Sequence, residues 1–185
     1  MSALPKPMDI ADFLAWEQRQ ELRHEFDGAQ IFAMTGGTGA HSAIQRNLLF
    51  ALTAGLAGKP CQPYGSDLKI RTATSIRYAD AFVICTPVAN AATFVTDPVV
   101  VFEIVSKSTA NTNLGAKKAE YQSIPSLQRY VILHQTHRAA AVFYRDAEER
   151  DGWAFEDFSG EHAMLAMPEI GTSIPLGEIY RNLIL

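Results

Sequence analysis

The stretch "PVVVFEIVSKSTANTNLGAKKAEY", Pro98 to Tyr121, decides the fold. Val99, Val100, Val101, Phe102, Ile104 and Val105 put apolar side chains on both alternating faces, so this run reads as a strand covered on both sides. Thr109 to Tyr121 then has the composition of a helix, with Ser108, Thr109 and Asn111 as candidate caps. "RYVILH", from Arg129, is the next strand, and a strand–helix–strand order implies a crossover to a parallel partner. Upstream, "YGSDLKIR" from Tyr64 and "YADAFVIC" from Tyr78 are two more strands with no helix between them, which predicts antiparallel pairing. Before those, Ile44, Leu48, Leu52 and Leu56 recur at helical spacing between His41 and Leu56. The core order is helix, three strands, helix, strand (αβββαβ): an α/β (α+β) chain with a mixed sheet flanked by helices.

Working outward, Asp9 to His24 predicts one or two short helices capped by Asp9, and Asp27-Gly28 a tight turn into the strand "QIFAM". "AAAVFYR", from Ala139, is a strand, with weaker strands near 153–158 and 162–167 and a short helix near 175–183. The 185 residues suit a single domain, 1–185, with enough length to bury a core. No apolar run reaches the ~18 residues of a membrane span, and "MSALPKPMDIADFL" lacks a secretory core, so a cytoplasmic location is expected. Cys61 and Cys85 stand without a CxxC pattern, and two unpaired thiols in a reducing compartment is the simplest expectation. Sixteen Lys and Arg against twenty Asp and Glu leave a net charge of −4. That balance gives a polyanion partner no general support, although an acidic enzyme can reach phosphate through a metal.

Glu103 is the anomaly in the decisive strand, because an unpaired buried charge is costly or takes up a proton. Asp80 repeats it inside "YADAFVIC". On neighbouring strands the two carboxylates can meet, where they repel and raise each other's proton affinity. A divalent cation supplies the counter-charge. Mg²⁺ (or Mn²⁺) suits such a place, since Mg²⁺ typically takes one or two carboxylates, keeps water and accepts phosphate oxygens. The competing reading has each acid solvated at a strand end or paired with an arginine such as Arg77. Lys117 and Lys118 follow on the predicted helix, and periodicity does not choose which turns toward the sheet. His41 suits a phosphate contact or a cap, at the edge of a site or in a structural role. His134 and His137 read as a solvated pair. "GGTG" lacks the context of a phosphate-cradling loop.

In order, "HEFDG" (24–28), Met34, His41, "SDLKI" (66–70), "YADAFV", "VVVFEIVSKST" and the Lys117–Tyr121 pair resemble the Uma-two family. That family is a bacterial group of restriction-endonuclease-like proteins in the PD-(D/E)XK superfamily, and the resemblance runs from about Asp9 to Val142. It implies a metal-dependent endonuclease that hydrolyses DNA phosphodiesters. Asp80 and Glu103 would be the metal ligands, Lys117 the basic residue moved from the strand to the helix, and Glu25 an acid at the end of the N-terminal helix that leans into the site. Val105 stands where the superfamily's lysine usually does. Ala79 replaces the proline before the aspartate, Lys107 stands where the family often has proline, and Asn113 where it often has aspartate. The alternatives are an inactive nucleic-acid-binding or structural protein of this fold, or a metal-dependent hydrolase of another phosphate ester. DNA would be met by Lys69, Arg71, Arg77, Lys107 or Lys118, with no membrane partner, and a homodimer would serve to cut two strands.

Overall fold

Glu103 lies in the interior of a six-stranded sheet. The computed structural model describes residues 8–34, 36–106 and 113–185. Helix α1 (Ile10–Glu17) starts where the Asp9 carboxylate accepts the Asp12 N–H at 2.9 Å. A hairpin of β1 (His24–Phe26) and β2 (Ile31–Ala33) follows. Its turn rests on Asp27, which accepts the N–H groups of Ala29 and Gln30, and on Gly28 at φ +94°. A side chain at that glycine would meet Thr74 O at 2.9 Å. Helix α2 (Gly39–Gly55) is capped by Thr38 and buries Ile44, Leu48 and Leu52. Next come β3 (Gln62–Gly65), β4 (Lys69–Arg71), β5 (Ile76–Arg77), β6 (Ala81–Ile84), β7 (Phe94–Val95) and β8 (Val100–Val105). A π-helical turn, Asn113–Lys117, runs into α3 (Lys118–Gln122), then β9 (Arg129–His134), β10 (Ala139–Arg145) and β11 (Trp153–Ser159). The chain ends with β12 (Met164–Met167), β13 (Thr172–Pro175) and α4 (Leu176–Ile179).

The large sheet has the order β11-β10-β9-β8-β6-β3, with β8 parallel to β9 and antiparallel to β6. All six residues of β8 are buried. One face, with Val83, Val100, Phe102 and Ile104, packs on α2, β12–β13 and α4. The other, with Phe82, Val101 and Val105, packs on α3 through Tyr121. Burial on both faces explains why β8 lacks the apolar–polar alternation of a half-exposed strand. The order α2, β3, β6, β8, α3, β9 reproduces the predicted core.

Four expectations change. "YGSDLKIR" is two strands, because a turn at Ser66-Asp67 sends β3 into the large sheet and β4 into a second sheet of order β2-β1-β5-β4-β7. Asp80 precedes β6 rather than lying within it. Glu25 sits on strand β1, not at a helix end, because the Asp27-Gly28 turn folds 24–26 against 31–33. Cys61 and Cys85 are not free thiols: they form a disulfide across the register that pairs Gln62 with Ile84. The argument from reduced thiols to a reducing compartment therefore loses its premise. The candidate caps Ser108, Thr109 and Asn111 lie outside the described residues. Among those described, no helix is long and apolar enough to cross a membrane.

Candidate active site

The ladder between β6 and β8 ends at the pair Ala81–Phe102, one step before Glu103. The Ile104 N–H beyond it is taken by Asp80 Oδ2 at 2.6 Å. A buried N–H needs an acceptor, so this bond fixes Asp80 beside Glu103. Asp80 Oδ1 faces the first turn of α2, 3.0 Å from His41 Nε2. Gln45, one helical turn on, donates to the Asp80 carbonyl at 2.8 Å.

The π-helical turn and α3 together supply the other half. Lys117 Nζ lies 3.2 Å from Glu103 Oε1 and 3.1 Å from Glu25 Oε1. The Tyr121 hydroxyl, one turn along, donates to Glu103 Oε1 at 2.9 Å. Residues four apart share a helix face, which is why the two meet one carboxylate. Lys118 points elsewhere, 4.4 Å above the Phe143 ring. Glu25 also accepts the Tyr78 N–H at 3.0 Å and Arg77 Nη1 at 3.1 Å. Arg77 in turn clamps Glu120 through two 2.7 Å bonds, a fork-to-fork contact that ties β5 to α3.

Charge at this cluster does not balance. Arg77 is divided between Glu120 and Glu25, and Lys117 between Glu25 and Glu103. Burial pushes the Glu103 carboxyl up to about 7; Lys117 and Tyr121 oppose that shift, and Asp80 and Glu25 add to it. Lys117 is held above the ordinary lysine range because Glu103 and Glu25 outweigh its own burial. The hydrogen bond to Asp80 raises His41. The cluster forms the floor of an open cleft of about 950 Å³, with Glu21, Arg23 and Phe32 among its walls.

Glu25, Asp80, Glu103 and Lys117 are therefore brought together, and Lys117 rather than Lys118 reaches the acids. His41 belongs at the centre of the site rather than its edge; its place in the first turn of a helix gave no sign of the Asp80 contact. Tyr121 was visible only as a motif position. The Arg77–Glu120 clamp was missed, since 43 residues separate its partners. Arg77 pairs with these acids and not with Asp80. Two expected DNA contacts are buried: Arg77, and Lys69, which is 2.9 Å from Glu17. Arg71 remains exposed, and Lys107 lies outside the described residues. His134 and His137 stack on each other at 4.7 Å.

Does the site fit a divalent cation? Among the described residues, no three His, Cys, Asp or Glu side chains already converge as a ligand set. The donor chemistry still fits, because carboxylates outnumber their cations and a strongly raised Glu103 marks the deficit. An ion with one or two protein carboxylates and a shell of water suits this arrangement.

The sheet order and the acid–lysine cluster define a restriction-endonuclease-like fold. The Uma2 family model, described as "Putative restriction endonuclease", matches residues 10–176, and the chain belongs to that family. It is 32% identical over 175 residues to the uncharacterized protein slr1290 of Synechocystis sp., covering 93% of this chain and 90% of the relative. A second Synechocystis protein, the uncharacterized sll1609, is 26% identical over 166 residues, covering 87% and 93%. A crystal structure described as a "putative nuclease belonging to DUF820" from Anabaena variabilis shares the fold, with a TM-score of 0.75 over 94% of this chain and 98% of that one, at 17% identity.

Proposed function

We propose that the protein is a metal-dependent endonuclease that hydrolyses DNA phosphodiester bonds. The observation that carries this reading is Lys117 Nζ seated between Glu25 and Glu103 on the floor of an open cleft, with Asp80 alongside. Asp80 and Glu103 would hold Mg²⁺ or Mn²⁺, which when bound orients and acidifies an attacking water and offsets charge developing on the phosphate. Lys117, kept charged by two carboxylates, presents an ammonium to the water or to a phosphate oxygen. Glu25, fixed by Arg77 and the Tyr78 N–H, holds that ammonium in place. Tyr121 holds one Glu103 oxygen and so orients the other. A homodimer would let two such sites cut two strands, and a cytoplasmic setting would supply the substrate.

The test is supercoiled plasmid incubated with purified protein in Mg²⁺, Mn²⁺ or EDTA. Nicking or linearisation that needs metal and falls at least ~100-fold in Lys117→Met is expected, the scale of a lost electrostatic contact in a transition state. Cleavage that persists in EDTA, or in Lys117→Met, argues against the reading. Burial of Lys69 and Arg77 favours one second reading, hydrolysis of a smaller phosphate ester that needs no basic track. Turnover of bis-p-nitrophenyl phosphate without plasmid cleavage would select it.

A further inference from the structure

We infer that His41 is itself a ligand, beside Asp80, of the ion this site takes, and that the mixed imidazole–carboxylate pair selects Mn²⁺ over Mg²⁺. The inference rests on the metal reading above and goes beyond it by naming a nitrogen donor and an ion preference.

The geometry starts with Asp80. One of its oxygens, Oδ2, is committed to the Ile104 N–H at 2.6 Å, and its carbonyl to Gln45 at 2.8 Å. Its remaining oxygen, Oδ1, therefore has a fixed direction, and His41 Nε2 stands 3.0 Å along it. Adjacent positions of an octahedral ion with bonds of about 2.1 Å lie about 3.0 Å apart, so one ion can touch both atoms without either backbone moving. The backbone of His41 is fixed at the helix start, since Thr38 Oγ1 accepts its main-chain N–H at 3.1 Å and donates to Gln135 at 2.8 Å. Both side chains keep an open edge toward the cleft, 20% exposed for His41 and 14% for Asp80. Glu103 has one oxygen engaged by Lys117 and Tyr121, so the Asp80–His41 pair is the more accessible half of the site.

Imidazole discriminates where carboxylate does not. Oxygen donors suit Mg²⁺ and Mn²⁺ alike, whereas nitrogen donors favour transition ions, and affinity rises from Mn²⁺ along the first-row series. A histidine in the set thus separates two ions that a purely acidic pair would accept together.

The experiment is Mn²⁺ titration of the full chain without nucleic acid, followed by electron paramagnetic resonance of the bound ion. Electron spin-echo modulation from ¹⁴N reports an imidazole in the coordination shell. The parent should bind Mn²⁺ with imidazole ¹⁴N modulation, and about a hundredfold excess of Mg²⁺ should leave most of it bound. His41→Gln should lose the modulation and bind Mn²⁺ about tenfold or more weaker, the scale of disturbing a metal's immediate surroundings, with Mg²⁺ affinity changed less than about twofold. His41→Gln melting without metal should match the parent. If that variant does not fold, His41→Asn carries the same comparison against the parent spectrum. Mn²⁺ bound without ¹⁴N modulation overturns the inference and leaves the nuclease reading standing. Modulation that survives in His41→Gln, arising from another histidine, also overturns it. No Mn²⁺ binding by the parent at millimolar concentration removes the metal reading and this inference together.

Discussion

Glu17 and Glu103 keep the same company. Both are buried. Glu17 lies 2.9 Å from Lys69 Nζ and accepts the Tyr78 hydroxyl at 2.7 Å; Glu103 lies 3.2 Å from Lys117 Nζ and accepts the Tyr121 hydroxyl at 2.9 Å. Their acidities nevertheless diverge. Burial pushes both up, but at Glu17 the bonds from Lys69 and Tyr78 outweigh it and hold the carboxyl below its usual range. At Glu103 they do not, because this carboxyl lies far deeper in the protein than Glu17, and because Asp80 and Glu25 add negative charge while Lys117 is shared with Glu25. A lysine, a tyrosine and a carboxylate hold a fold together when their charges balance. The same three mark a place for an added cation when they do not.

The comparison can be broken most severely on the balanced side. Lys69→Met leaves Glu17 buried beside a tyrosine and nothing else of opposite charge within its pair, and should cost about 3–5 kcal/mol in urea unfolding. An effect below about 1 kcal/mol would mean Glu17 is not dependent on its lysine. On the unbalanced side, the parent in Mn²⁺ or Mg²⁺ at a hundredfold excess over Kd should gain about 2.7 kcal/mol, while Asp80→Asn gains far less. In EDTA the two should lie within about 1 kcal/mol, since asparagine keeps an acceptor for Ile104 N–H. A loss in Asp80→Asn that is equal with and without metal would make Asp80 purely structural.

The third test reads the pH dependence. A carboxyl raised from 4.5 to about 7 in the folded state contributes stability that is complete below about 4.5 and is lost as pH rises through about 7. In EDTA the parent should therefore weaken between pH 5 and 8, and Glu103→Gln should be more stable than the parent at pH 8 by about 1–2 kcal/mol. At pH 5 the gap should close, and a gap that widens instead would mean Glu103 is ionised and satisfied. Smallest of all, Lys118→Ala removes a half-buried cation–ring contact with Phe143, should cost about 1 kcal/mol, and should leave plasmid cleavage unchanged.

The sequence made the centre of the fold legible because β8 is apolar on both faces, a pattern that few other elements produce, and because α2 is strongly periodic. Asp80 and Glu103 were legible as exceptions to that pattern. What stayed hidden depends on long-range geometry. Gly65-Ser66-Asp67 is a turn-favouring run inside "YGSDLKIR", but only long-range pairing decides that the two halves join different sheets. Arg77 was read first as a partner for Asp80 and then as a DNA contact because an arginine's burial follows from distant acids, here Glu120 and Glu25. Lys117 and Lys118 are equivalent by spacing from Leu114 and Tyr121, and the docking of α3 on the sheet decides between them. His41 reads as an ordinary first-turn residue until the β6 strand end is placed beside it.

The bond between Cys61 and Cys85 spans 24 residues of sequence, and the enclosed segment carries Lys69, Arg77, Tyr78 and Asp80. One wall of the cleft is therefore a covalent ring, closed on the large sheet and looping out through the small one. Closing a ring of this length removes roughly 3 kcal/mol of freedom from the unfolded chain. It also changes what a protease can do. A single cut in the exposed tip at Ala73-Thr74 leaves one molecule on a gel without reductant and two fragments with it, so the wall that presents Asp80 can be nicked without being released.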